Sequence, residues 1–148
     1  MFASRMRTHG MYLIDTNVIS ELRKKRKANR GVRSFFSKSI ELNNRIFLSV
    51  ITIGELRRGV ELIRYRGDKA HALRLESWLQ ILEGDYADSI IDFSVTEAQV
   101  WGRLRVPGYE NAIDKQIAAT ALTHGLTLVT RNTRDFRGTG VELLNPFE

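Results

Sequence analysis

Met11-Tyr12-Leu13-Ile14-Asp15-Thr16-Asn17 is the stretch whose reading decides the fold. A short apolar run that stops abruptly at an aspartate, a threonine and an asparagine is the pattern of a buried strand passing straight into a helix N-terminus. Val18, Ile19 and Leu22 continue at helical spacing into the basic run at residues 23–33, so a first strand and a first helix are expected here. Further along, residues 46–50 are apolar and β-prone, and Thr52 is the expected cap of a helix carrying Glu55, Leu56, Gly59, Val60 and Ile63. Residues 90–93 predict a third strand, with Ser94 or Thr96 opening the helix after it. Residues 126–129 predict a fourth strand that ends at Thr130-Arg131-Asn132, and residues 141–144 a fifth.

The segments between these strands read as helices. Val32, Phe35, Phe36 and Ile40 repeat at helical spacing until Asn43-Asn44 breaks the pattern. Gly67-Asp68 separates the Glu55 helix from a long amphipathic one with Leu73, Leu75, Trp78, Leu79 and Leu82, and the two are expected to form a hairpin. Residues 112–124 are rich in small side chains suited to close packing on a sheet, and Gly125 stands where a left-handed cap is expected. Strands alternating with helices predict one α/β domain over residues 11–148. It has three layers, with a central, mainly parallel sheet of four to five strands flanked by helices.

With 148 residues, 43% of them hydrophobic, and two prolines, the chain suffices for one core. No apolar run approaches the roughly 20 residues that cross a bilayer, and residues 1–10 do not read as a secretory signal, so a cytoplasmic protein with no membrane partner is expected. Those ten residues read as an N-terminal extension, either disordered or preceding the true start, since Met6 and Met11 are alternative initiators. The lack of cysteine excludes disulfides, thiolate metal sites and cysteine nucleophiles. The formal charge is +6, concentrated in residues 23–33 and at Arg57, Arg58, Arg64 and Arg66. It points to a polyanionic partner or to solvated helix faces. With only His9, His71 and His124, a pair of histidines acting as acid and base has little support.

In an open parallel sheet, sites form outside the carboxyl ends of the strands. Asp15, Glu55, Asp114 and Asp135 all fall there. Singly, each has a plain alternative: Asp15 as a helix cap, Glu55 and Asp114 as favourable charges in a first helical turn, Asp135 as a turn residue. Gathered together, four carboxylates repel, and a hard divalent cation such as Mg²⁺ or Mn²⁺ is the economical compensation. Such a centre activates water and polarises phosphoryl oxygens without a covalent nucleophile from the protein. Of Arg57 and Arg58, on the Glu55 helix, one is expected to face the site and take a substrate phosphate while the other packs outward, the alternative being a solvated pair. Lys115 is expected to point to solvent. His124 is expected to meet the last carbonyls of its helix, and Trp78, Trp101, Phe35 and Phe36 to lie in the core or at a dimer interface.

Four segments run in order along residues 11–146. They are Leu13-Ile14-Asp15-Thr16-Asn17-Val18, Ile53-Gly54-Glu55-Leu56-Arg57-Arg58-Gly59, Asp114-Lys115-Gln116-Ile117-Ala118-Ala119-Thr120-Ala121 and Thr130-Arg131-Asn132-Thr133-Arg134-Asp135-Phe136. Together they resemble the PIN-domain nucleases, specifically the VapC-like toxins of type II toxin–antitoxin pairs. The resemblance implies a PIN-like fold and an endoribonuclease whose metal-binding acidic site is Asp15, Glu55, Asp114 and Asp135. It implies Asn17, Thr130 and Asn132 as polar accessory residues, where an amide or hydroxyl can orient a ligand carboxylate or simply cap a helix or turn. It also implies an RNA substrate, a cognate antitoxin, a homodimer and a higher-order assembly with the antitoxin. Two rival classes remain. An aspartyl phosphotransferase would need an acid two residues after Asp15, where Asn17 cannot protonate a leaving group. A non-catalytic RNA-binding or regulatory protein that keeps the fold has no use for four mutually repelling acids.

Overall fold

The structure is a computed structural model and describes residues 10–148, so all but Gly10 of the expected N-terminal extension lies outside the described residues. Five strands form one parallel sheet in the order β3-β2-β1-β4-β5. They are β1 (Met11–Ile14), β2 (Arg45–Ser49), β3 (Ile90–Ile91), β4 (Thr127–Val129) and β5 (Leu143–Leu144). Six helices connect them: α1 (Thr16–Leu22), α2 (Arg30–Glu41), α3 (Val50–Tyr65), α4 (Lys69–Asp85), α5 (Val95–Leu104) and α6 (Ala112–His124). No helix among the described residues is long and apolar enough to cross a membrane.

The alternation of side chains along a strand divides the core into two layers. Ile14 and Val129 face Val18, Val32, Leu56, Val60, Leu75 and Leu79 of the α1–α4 layer. Their neighbours Leu13 and Leu128 face Ile117, Ala118 and Ala121 of α6. α3 and α4 pack as the expected hairpin, and α5 packs on α6. Chain order reverses at β1: β2 lies on one side of it and β4 on the other, so the crevice beyond the ends of β1 and β4 is where a ligand site is expected.

Local chemistry departs from the sequence expectation at several helix ends. Ser49 rather than Thr52 caps α3, its hydroxyl accepting from Ile51 N–H at 3.0 Å, because the helix begins immediately after β2. Thr52 is therefore buried inside α3. Ser94 caps α5 with Glu97 in a reciprocal capping box. Gly125 takes the expected left-handed conformation, with φ 64° and ψ 36°. His124 does not serve the helix carbonyls; its Nε2 lies 3.0 Å from Oε2 of buried Glu97, a bond that ties the end of α6 to the start of α5.

The C-terminal residues are stitched to the start of α2. Asn29 Oδ1 accepts from the N–H groups of Gly31, Val32 and Glu148. Gly31 is buried, and a Cβ there would stand 2.1 Å from the carbonyl oxygen of Pro146. Gly31→Ala should therefore cost about 1–3 kcal/mol in urea unfolding, because backbone must shift to admit the methyl group. An unchanged midpoint would show that the tail does not dock here.

Candidate active site

Asp15 is placed by two elements at once. It caps α1 from the end of β1, with Oδ1 accepting from Thr16 N–H at 2.8 Å. Its Oδ2 accepts from the Thr130 hydroxyl at 2.8 Å and from the Asn17 side-chain amide at 3.3 Å. Thr130 follows β4 directly and is fully buried, so the crevice between β1 and β4 supplies both the acid and the donor that orients it. Asn132 contributes through its backbone, its N–H donating to Thr130 Oγ1 at 3.0 Å. Asn17 Oδ1 accepts from Arg131 N–H at 3.0 Å. The capping role and an oriented carboxylate thus coexist in Asp15. Burial pushes its pKa above the ordinary value despite these donors, and Asp135 adds to the rise.

Thr16 was not singled out by sequence. Its hydroxyl donates to Glu55 Oε1 at 2.8 Å and lies 3.4 Å from that of Thr52. The available signal was a hydroxyl directly after Asp15, at the first helical position. Glu55 sits deeper in α3 than a first-turn residue, and its carboxyl is raised by burial and by Asp15, against the lowering effect of Thr16.

Asp114 lies in the first turn of α6, whose entry is braced from outside. Trp101 Nε1 donates to Ala112 O at 2.9 Å, and Lys115 Nζ to Gly108 O at 3.1 Å, so Lys115 is not simply solvated as expected. The Asp114 carboxyl is pushed up to about 6, first by burial and then by the charges of Asp15, Asp135 and Glu55. Asp135 is exposed in a short 3₁₀ turn, Thr133–Phe136, anchored by buried Phe136. The four acids therefore share one electrostatic neighbourhood, and the main causes of the shifts of Asp15, Glu55 and Asp114 are burial, hydrogen bonds and one another's charges. As placed, no three Asp, Glu or His side chains among the described residues converge closely enough to hold one ion.

Of the arginine pair, Arg57 is the one turned away from the four acids, toward the α3–α4 hairpin. Its Nη1 bonds Glu76 at 2.7 Å and Glu61 at 3.1 Å, and Arg64 bonds the same two acids, so this network clasps α3 to α4. Arg58 is exposed.

The PIN-domain family model matches residues 12–141. The chain belongs to the PIN-domain family. Among characterised relatives, it is 38% identical to toxin FitB of Neisseria gonorrhoeae, over 93% of this chain and 99% of that one. It is 34% identical to the VapC ribonuclease Y4jK of Sinorhizobium fredii, with the same coverage. Its fold superposes on the crystal structure of FitAcB from Neisseria gonorrhoeae with a TM-score of 0.76 and 35% identity, covering 92% of this chain and 98% of that one. These similarities span the whole PIN domain, from β1 to the approach to β5.

Proposed function

We propose that this PIN-domain chain is a metal-dependent endoribonuclease and the toxin of a toxin–antitoxin pair. In this reading Asp15, Glu55, Asp114 and Asp135 hold Mg²⁺ or Mn²⁺ for the hydrolysis of RNA phosphodiester bonds. The observation that carries it is Asp15 beyond the end of β1, both oxygens oriented by Thr130, Asn17 and Thr16, beside Glu55 oriented by the Thr16 hydroxyl, with Asp114 pushed up to about 6 by burial and by its three acidic neighbours. The donor set is entirely oxygen, which fits a hard divalent ion, and binding one would draw the four carboxylates inward while removing their repulsion. The relatives' names, a toxin and a VapC ribonuclease, support the same reading.

A divalent cation there supplies positive charge at the phosphoryl oxygens and a stronger water nucleophile at neutral pH. The protein's own part is orientation. Thr130, Asn17 and Thr16 N–H fix both oxygens of Asp15, while the Thr16 hydroxyl fixes one oxygen of Glu55. Because these donors are themselves held by β1, β4 and α1, Asp15 and Glu55 are oriented at the edge, and the other carboxylates would move toward them to receive an ion. The nuclease unit is residues 11–148, acting in the cytoplasm as a homodimer. A cognate antitoxin would cover the acidic edge, offering an arginine to the carboxylates.

Purified protein incubated with structured RNA should cut it in Mg²⁺ or Mn²⁺ and not in EDTA, and Asp15→Asn and Asp114→Asn should each stop the cutting. Failure of antitoxin-free, folded protein to cut several RNAs under any metal would overturn the enzyme reading in favour of a non-catalytic RNA-binding protein.

A further inference from the structure

We propose that a pocket beside the acidic edge, walled by Arg131, Arg134 and Arg137, holds a phosphate of the RNA strand flanking the scissile bond. The inference rests on the ribonuclease reading and adds to it the element that grips the substrate backbone. The pocket measures about 380 Å³ and is completed by Asn132, Thr133 and Asp135, so three arginines and one aspartate line it. Asp135 connects it to the site, because its charge is felt at both Asp15 and Asp114.

What gathers these arginines is the pocket itself, and none of them is taken up by an ion pair among the described residues. Lys24 pairs with Glu21 and Arg30 with Glu148, while Arg57 and Arg64 are held by Glu61 and Glu76. Arg131, Arg134 and Arg137 are exposed, and their guanidiniums enter no ion pair among the described residues. They are nevertheless well placed. Arg131 is held by its backbone bond to Asn17 and by stacking of its guanidinium 4.7 Å from the ring centroid of Phe147. Since Asn17 also reaches Asp15, a phosphate gripped by Arg131 lies at a set offset from the candidate metal centre. Arg134 and Arg137 are borne by the turn that buried Phe136 pins to the core. Arginine suits this task because its planar fork can meet two phosphate oxygens at once.

The test is binding of a fluorescein-labelled 12-nucleotide single-stranded RNA, in EDTA so that it is not cut, over a series of salt concentrations. The proteins compared are the full chain, the Arg131→Ala/Arg134→Ala/Arg137→Ala variant and the corresponding triple lysine variant, with folding checked by circular dichroism and thermal melting. Removing the arginines should weaken binding about tenfold for each phosphate bond lost and flatten the salt slope by about 0.7 for each. The lysine variant should recover the slope but not the full affinity. Inorganic phosphate at millimolar concentration should compete weakly with RNA for the full chain, since one ion lacks the rest of the strand. Equal affinity and slope in the alanine variant would overturn this assignment while leaving the ribonuclease reading intact. Competition by inorganic phosphate as effective as by unlabelled RNA would reduce the pocket to a simple anion site and overturn it too. Unchanged RNA binding with loss of a copurifying protein partner would give the pocket to an acidic segment of that partner. Absence of RNA binding and of metal-dependent cutting by the full chain would overturn both.

Discussion

Asp114→Asn is expected to make the metal-free protein more stable and the enzyme inactive. The Asp114 carboxyl is raised from 3.8 to about 6 in the folded chain, so the folded state retains a proton that the unfolded state releases. Stability from that proton is complete below about pH 4 and is lost as pH rises through about 6, where the folded protein must carry the charge against burial and three neighbouring acids. Asparagine keeps the shape without the charge. Allowing for solvent screening at a half-exposed carboxyl, the gain at pH 7.5 is about 1–2 kcal/mol, or roughly 3–6 °C in thermal midpoint, and it vanishes below about pH 4. Cleavage should fall by at least about a hundredfold, the scale on which even an outer partner of a bound metal acts. Melting curves in EDTA at pH 4 and 7.5, beside an RNA cleavage assay in Mn²⁺, give both halves. A variant less stable at pH 7.5 would show that Asp114 is compensated by something other than a metal.

The candidate acids are legible by their places beyond predicted strands and at helix starts, whereas the partners at helix ends are set by packing. Asp15 stands out because apolar β1 ends just before it, and Asp135 lies in the turn beyond β4, which the parallel topology carries to the same edge. The two-layer core follows from the alternation of Leu13 with Ile14 and of Leu128 with Val129. What the sequence does not display are long-range partners that overrule or add to a local preference. His124 had the sequence position of a helix-end cation but found Glu97, 27 residues away on α5. Arg57 carried a visible local pairing with Glu61, yet its shorter bond is to Glu76 across the hairpin, a contact with no local trace. Ser49 ends β2 and Thr52 follows it, and only packing decides between them as caps, since Thr52 is buried and turned toward Thr16. Arg131 and Arg134 lie within the motif at residues 130–136 and Arg137 follows it, but only the fold gathers the three around one pocket.

Asp15 poses the question that sequence left open, cap or ligand, and two substitutions separate the answers. Asp15→Ala removes the acceptor for Thr16 N–H and strands the fully buried Thr130 hydroxyl. The lost cap and the unsatisfied group together should cost about 2–4 kcal/mol in urea unfolding. Asp15→Asn keeps an oxygen for the cap and presents an amide to Thr130, whose hydroxyl can accept as well as donate. Removing a charge whose burial is unfavourable offsets the weaker bonds, so its stability should stay within about 1 kcal/mol of the parent protein. If Asp15 only capped α1, the asparagine variant would cut RNA normally, because asparagine is as good a cap. As a ligand it cannot be spared: a neutral amide oxygen neither offsets the cation's charge nor completes the hard carboxylate set. Cleavage should therefore drop at least about a hundredfold in both variants while stability drops in only one. An asparagine variant with parental stability and parental cleavage would remove Asp15 from the metal centre and leave it a helix cap.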